Sequence, residues 1–448
     1  MVWLQEFINE FGTDAVIVNE TLREKLSKDY YWYSPVLYEQ LKNKIADCAI
    51  APTSIHELQR IVSFAVKNKV PITPRGAGTG NYGQAIPLQG GIVIDLTKLD
   101  RIDMQGDRLV SVQAGVRLGV LEKTLRQNNR ELRIFPSTYM KATVGGFLCG
   151  GSGGIGSIRW GNLWDDNVSS VTVMTVEETP RLLTISGDDM QQYIHNYGTT
   201  GLVVEAKLPV EPKVSWSQHI VFFHDFREAI KFSDELAHSE EIPKRLVSVC
   251  EWPIPAHFHP LKKVLREGQS IVMLEIEEKS VHLLGYLADK YDGDIGYTIP
   301  AENYQKGLKL SDFTWNHATL WAHKHGDNLT YLQARFQTDR IFEQMADLRS
   351  KFGDEIQFHF EYIKIQGAIV PASLPVVKYK SKERLYEIIQ FCRAIEVEIN
   401  DPHTYILGFG GYNMRMKELL KRKELNDPYN LLNPGKLPTA KEVQEFQL

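Results

Sequence analysis

The sequence predicts an α+β fold in two parts, and three observations carry that prediction. Val70 to Thr73 and Gly91 to Asp95 are short apolar strands joined by a loop dense in glycine. Residues 213 to 410 alternate strands with amphipathic helices, the pattern of helices laid on one face of a sheet. Gly198 to Pro212 is a strand that ends the first part at Glu211-Pro212.

The elements follow in order. Residues 1 to 45 are helical, with a polar and aromatic break at Asp29-Tyr30-Tyr31-Trp32-Tyr33. Residues 48 to 115 run strand, helix, strand, loop, strand, and Leu118 to Asn128 is an amphipathic helix. In the second part, strands are expected at 220–223, 246–250, 270–276, 330–336 and 356–363. Helices are expected at 226–238, 281–291 and 337–351. No internal repeat or low-complexity tract is present.

The loop holds Pro74-Arg75-Gly76-Ala77-Gly78-Thr79-Gly80-Asn81-Tyr82-Gly83. Glycine lets backbone N–H groups approach a ligand with no Cβ in the way, and a concave run of such groups cradles an anion such as a pyrophosphate. A Walker loop requires Gly-x4-Gly-Lys-Ser/Thr, which is absent. A Rossmann fingerprint requires Gly-x-Gly-x-x-Gly leading into a helix; Gly80 and Gly83 break that spacing, and a strand follows. The plain alternative is a glycine-rich turn without a ligand.

Pro74 to Gly80 followed by Gly91-Ile92-Val93-Ile94-Asp95-Leu96 resembles the FAD pyrophosphate loop of the vanillyl-alcohol oxidase / p-cresol methylhydroxylase flavoprotein superfamily. Further segments resemble that family in order: Ala51-Pro52-Thr53-Ser54 opening a helix, Val112-Gln113-Ala114-Gly115-Val116, and Thr143-Val144-Gly145-Gly146 with Gly150 to Gly154. Arg159-Trp160-Gly161, Asp166-Asn167-Val168, Tyr197 to Glu205, Asp427-Pro428 and Leu432 to Leu437 complete the set. The resemblance covers roughly residues 45 to 210 and 425 to 440, and its nearest branch is that of FAD-linked glycolate oxidase subunits and D-lactate dehydrogenases. It implies a PCMH-type FAD-binding domain in two pieces, residues 1–212 and 411–448, with an α+β substrate cap inserted at 213–410.

The same resemblance implies where FAD is held. Arg75, Gly76, Ala77, Gly78, Thr79, Gly80 and Asn81 meet the pyrophosphate through backbone N–H groups. Ser137, Thr138, Gly145, Gly146, Gly150, Gly151 and Gly154 pass near the flavin and adenosine portions. Gly201 and Val203 offer backbone to the cofactor, and Asn433 and Lys436 approach the isoalloxazine. A solvated surface lysine is the alternative for Lys436. Branches that attach FAD covalently place a His in the first loop; here Gly78 and Thr79 stand there, which implies dissociable FAD.

A flavin takes a hydride at N5 from a carbon bearing a hydroxyl, so the protein must supply orientation and a base. Histidine is the first candidate because it titrates near neutral pH. His317 and His323 lie in an aromatic and histidine-dense stretch, Phe313 to His325, and His403 stands near the C-terminal return. Aromatic walls with a few placed polar groups suit a small-ligand pocket; a helix merely packed in an interface would share the pattern. Arg335 or Lys364 would hold a substrate carboxylate, or else serve as surface ion-pair partners. The hydroxy-acid branch carries a Gly-His-x-Gly-Asp-Gly-Asn-x-His segment that this chain lacks; His325-Gly326-Asp327-Asn328 is a superficial echo, and no metal is implied.

The expected function is an FAD-dependent oxidoreductase moving a hydride from a small hydroxylated substrate, a 2-hydroxy acid or a sugar-like alcohol or lactone, to the flavin. The alternatives are an NAD(P)H-dependent reductase on the same fold and a non-catalytic FAD-carrying subunit of a redox complex. A net charge of −5 over 448 residues, with no long single-sign block, argues against a nucleic-acid surface. Four scattered cysteines, with no Cys-x-x-Cys pair, suggest no zinc or iron–sulfur cluster and fit a reducing compartment. The first residues lack a charged start and apolar core, and no run reaches 18 apolar residues, so the expectation is a cytoplasmic protein with no membrane span. The electron acceptor, and whether the chain forms a homo-oligomer or meets a redox partner, stay open.

Overall fold

The computed structural model describes residues 2–304, 306–326, 328–411 and 415–445. The glycine loop springs from a small sheet in which strands Cys48–Ile50 and Ile72–Arg75 flank Ile92–Asp95, all parallel, with Val16–Ile17 antiparallel at the edge. Parallel strands need a crossover, and the helix Ile55–Lys67 carries the chain from Cys48–Ile50 over to Ile72–Arg75 on the far side of Ile92–Asp95. Ser54 caps that helix by accepting the N–H of Glu57, and Leu58, Ile61, Val62 and Ala65 form its buried stripe. The far end of the chain joins this sheet: Ile72 donates its N–H to Leu431, and Asn433 donates its own to Ile72.

A second, antiparallel sheet is built on the long strand Leu202–Pro212, which pairs with Leu109–Gln113, Ser170–Met174 and Arg130–Leu132. The helix Leu118–Gln127 lies against it through Leu118, Leu121 and Leu125. Between the sheets runs the short helix Val144–Gly150, capped by the side chain of Thr143.

Residues from Trp216 onward form an antiparallel sheet of eight strands, in the order 294–299, 216–223, 270–277, 244–250, 359–365, 368–373, 333–335, 398–400. Helices Phe226–His238, Val281–Lys290, Ile341–Phe352 and Lys382–Ala394 bury Phe232, Leu284, Leu348 and Ile388 in a common core with Val221, Val247, Leu274 and Phe360. Strand residues of the opposite parity, Ile220, Phe222 and Met273, face a second core with Phe258, Phe313, Ala318 and Ala322. The aromatic helix Asn316–His325 therefore sits on the face away from the four packing helices.

Two expected strands are each split in the structure. Residues 330–336 become Leu329–Tyr331, paired with Val376–Lys378, and Gln333–Arg335, paired with Ala368–Ser373. Residues 356–363 become Ile356–Gln357 in a small three-stranded sheet and His359–Ile365 in the large one. An apolar run fixes that a strand forms, but not which neighbour each half finds. The helix expected from residue 337 starts at Ile341 because Gln344 Oε1 takes the N–H of Gln337 across the intervening turn.

Among the described residues, no helix is long and apolar enough to cross a membrane.

Candidate functional site

A cavity of about 1180 Å³ opens between the two N-terminal sheets and the eight-stranded sheet. The first glycine loop lines it from Arg75 to Asn81. Among the described residues, the N–H groups of Ala77, Gly78, Thr79, Gly80 and Asn81 donate to no protein acceptor. A backbone donor left without a partner costs free energy, so five successive unpaired donors on a cavity wall suit an anionic ligand. The loop is too crowded for side chains. A Cβ on Gly76 would lie 2.1 Å from Thr143 Oγ1, one on Gly78 2.1 Å from Arg75 Nη2, and one on Gly80 2.3 Å from Gln84 Oε1. Gly78 also sits at φ +63°.

Arg75 folds beneath the loop and donates from Nη1 to the Lys28 carbonyl at 2.7 Å. Gln84 ties the two glycine loops together: its Oε1 accepts from Tyr82 N–H and its Nε2 donates to the Gly150 carbonyl. Ser137, Thr138, Gly145, Gly146, Gly150, Gly151, Gly201 and Val203 line the cavity as well. Gly145 is confined by Ala114, whose Cβ would stand 2.7 Å from a side chain there.

Gly154, Asn433 and Lys436 lie off the lining. Gly154 presses on the Phe135 carbonyl, 2.1 Å from where its Cβ would be. Asn433 donates from Nδ2 to the carbonyls of Gln84 and Tyr197, at 2.9 and 2.7 Å. Lys436 is fully buried and donates to the Gly83 carbonyl. Its charge faces Asp29, which accepts from the N–H groups of Tyr31 and Ala85. Burial pushes the Lys436 ammonium down and the Asp29 carboxyl up, and each opposes the other's shift. The C-terminal segment thus holds the backbone of the loops from behind.

The three histidines separate. His317 lines the cavity. Burial, reinforced by the charges of Lys324 and Lys141, holds its imidazole down to about 4. His323 packs edge-on to Trp32 and tilted against Tyr33, outside the lining. His403 is buried behind it, with Nδ1 2.7 Å from Ser34 Oγ and Nε2 3.0 Å from the Tyr331 carbonyl. Arg335 lines the cavity but is ion-paired with Glu398. Lys364 lies outside it and donates to the Arg159 carbonyl. Asp327 lies outside the described residues.

Two features escaped sequence reasoning. Trp315 has φ +54°, a strained conformation for a bulky residue. Its N–H donates to Glu361 Oε1 at 2.7 Å, and Ser248 Oγ and His359 Nε2 reach the same oxygen at 2.8 Å. Glu361 therefore sets where the helix bearing His317 begins. His195 also lines the cavity, fully buried, with Nδ1 2.9 Å from the Gly151 carbonyl. The Asn-Tyr-Gly that follows His195 reads as a turn, and nothing in the sequence points to the cavity from there.

A family model described as an FAD binding domain matches residues 46–182. The D-lactate dehydrogenase of Anaerostipes hadrus is 28% identical over 216 residues, 46% of this chain and 44% of that protein. The alkyldihydroxyacetonephosphate synthase of Dictyostelium discoideum is 26% identical over 406 residues, 82% of this chain and 65% of that protein. A solved structure of an alkyldihydroxyacetonephosphate synthase superposes with a TM-score of 0.74 at 16% identity, covering 97% of this chain and 84% of that one; this likeness establishes the fold. The chain spans under half the length of the lactate dehydrogenase and just under two thirds of the curated synthase.

Proposed function

We propose that this chain, a member of the superfamily of FAD-linked oxidoreductases with a PCMH-type FAD-binding domain, oxidises a small hydroxylated acid in the cavity between that domain and a cap formed by residues 213–410. The observation that carries the reading is the row of unpaired N–H groups from Ala77 to Asn81, opposite a wall that holds His317. FAD fits this donor set: backbone donors suit its pyrophosphate, and Gly76, Gly78 and Gly80 pack so closely on Thr143, Arg75 and Gln84 that a Cβ there would displace the loop that presents them. Bound there, FAD supplies a hydride acceptor. Arg75, Gln84 and Thr143 fix the loops that hold it.

His317 is the proposed base. It is the member of the sequence-derived set, His317, His323 and His403, that reaches the cavity. At neutral pH its imidazole is uncharged and able to accept the substrate hydroxyl proton. Trp315, Leu320 and Trp321 wall the same space. His323 and His403 serve the joint between the N-terminal aromatic segment and the cap.

The extent of the synthase likeness favours a second reading. It runs over 82% of this chain, against 46% for the dehydrogenase. On that reading the substrate is a phosphorylated hydroxyketone, as the synthase's name indicates. Anaerobic mixing with a panel of 2-hydroxy acids, sugar alcohols and NADPH separates the readings. Bleaching by a hydroxy acid supports the first; bleaching by NADPH alone indicates a reductase; no bleaching removes the dehydrogenase reading.

A further inference from the structure

The cations on the cavity wall differ in what they face. Arg75 is turned toward the Lys28 carbonyl and Asp29. Arg335 is paired with Glu398, and Arg415 with Glu418 at 3.6 Å. Lys141 and Lys324 line the cavity too, and among the described residues neither has a carboxylate within ion-pairing distance. They come from opposite sides of the opening. Lys141 belongs to the segment between Thr138 and Thr143 on the FAD-binding side. Lys324 stands on the cap helix Asn316–His325, seven residues after His317, so both residues face the cavity two turns apart. The Lys324 Nζ lies 4.2 Å over the Trp321 ring, which orients it along the wall. Among the described residues, the acidic groups of the lining face other cations: Asp312 faces Lys309, Asp29 faces Lys436 and Arg75, and Glu398 pairs with Arg335.

We propose that Lys141 and Lys324 form an anion subsite at the mouth of the cavity that takes the carboxylate or phosphate of the substrate and sets it beside His317. The assignment rests on the proposed function above, and it deepens that function by naming the charged end of the substrate and the residues that receive it. Two like charges facing one opening, with low-dielectric walls, focus field into it and raise the local concentration of an anionic ligand. An anion between the two sides also clamps the cap onto the FAD-binding domain, because each lysine belongs to one of them. Both lysines already act electrostatically on His317, holding its imidazole down together with burial. An anion that neutralises them relieves that effect and makes His317 a better proton acceptor, so binding of the substrate's charged end and activation of the base are linked.

The test is titration of the holoprotein with oxalate and, separately, with inorganic phosphate. The readouts are the flavin absorption band and tryptophan fluorescence, with sodium chloride at matched ionic strength as control. The expected result is a saturable change with one of the two anions, weakened at least tenfold in the Lys141→Gln, Lys324→Gln double variant and largely restored in the Lys141→Arg, Lys324→Arg variant. Saturation by oxalate alone assigns a carboxylate, and by phosphate alone a phosphate. No saturable change with either anion, or equal affinity in the double glutamine variant, overturns the proposal. Both lysines are exposed, so the variants should fold, and a retained flavin spectrum checks this. Anaerobic bleaching is read separately. A hydroxy acid that bleaches the double variant with unchanged KM refutes the subsite while the oxidoreductase reading stands. An anion that binds a protein no hydroxy acid can bleach does the reverse.

Discussion

The N–H of Trp315 donates to Glu361 Oε1 at 2.7 Å while Trp315 holds φ +54°. A positive φ costs a bulky residue free energy that the surroundings must offset, and here a buried carboxylate does so. Glu361 also receives Ser248 and His359, so three donors converge on one oxygen. Glu361→Ala leaves those donors unsatisfied in a buried place and should destabilise the fold by about 2–4 kcal/mol. It should also slow flavin reduction, because His317 lies two residues beyond Trp315. Denaturant unfolding and stopped-flow reduction measure the two effects.

At the first loop, Gly78→Trp should abolish FAD binding. The Arg75 guanidinium occupies the space a side chain would need, 2.1 Å from a Cβ, and φ is +63°. The purified variant should be colourless. Stoichiometric FAD in it would move the pyrophosphate away from this loop.

For the base, His317→Gln should retain FAD and reduce the rate of flavin reduction by about 10²–10⁴-fold, the usual range for general-base removal. His403→Gln should act otherwise. It loses the bonds to Ser34 and the Tyr331 carbonyl, so its effect should appear in thermal stability, with the reduction rate changed by less than tenfold. Equal rates in both variants and the native protein would remove His317 from the role.

Acid should destabilise the protein over a defined window. His195, His219, His317, His323 and His403 are all held down to about 4 by burial. An unfolded histidine titrates near 6.5, so between about 6.5 and 4 the unfolded chain binds more protons than the folded one. Their contribution is therefore complete above 6.5 and lost as pH falls toward 4. From pH 7 to 5 each accounts for up to about 2 kcal/mol. The Tm of the apoprotein should fall steadily across that interval; a flat profile would contradict the burial of these rings.

Much of the FAD-binding part was legible because its signals are local. Gly78 carries its own reason in a φ of +63°, whereas Gly76 and Gly80 are confined by Thr143 and Gln84; Ser54 announces the helix after it. Helix Phe226–His238 appears with the limits its apolar period gives. The roles of Asn433 and Lys436 were not legible. Their segment matches a motif, but only the tertiary arrangement reveals that they grip loop carbonyls behind the cavity. His317, His323 and His403 look alike in sequence. They separate when the sheet places one of them on the cavity wall and packs the others against Tyr33 and Ser34. Glu361 gives no signal at all, since a carboxylate in the apolar strand His359–Ile365 has meaning only through Trp315, 46 residues earlier.

The most direct test of the central claim is the absorption spectrum of the purified protein after supplementation with FAD, repeated anaerobically after addition of a 2-hydroxy acid series. The account expects flavin bands that pass to the supernatant on acid precipitation and are bleached by at least one member of the series. A protein that stays colourless after reconstitution, with residues 75–81 intact, would contradict it.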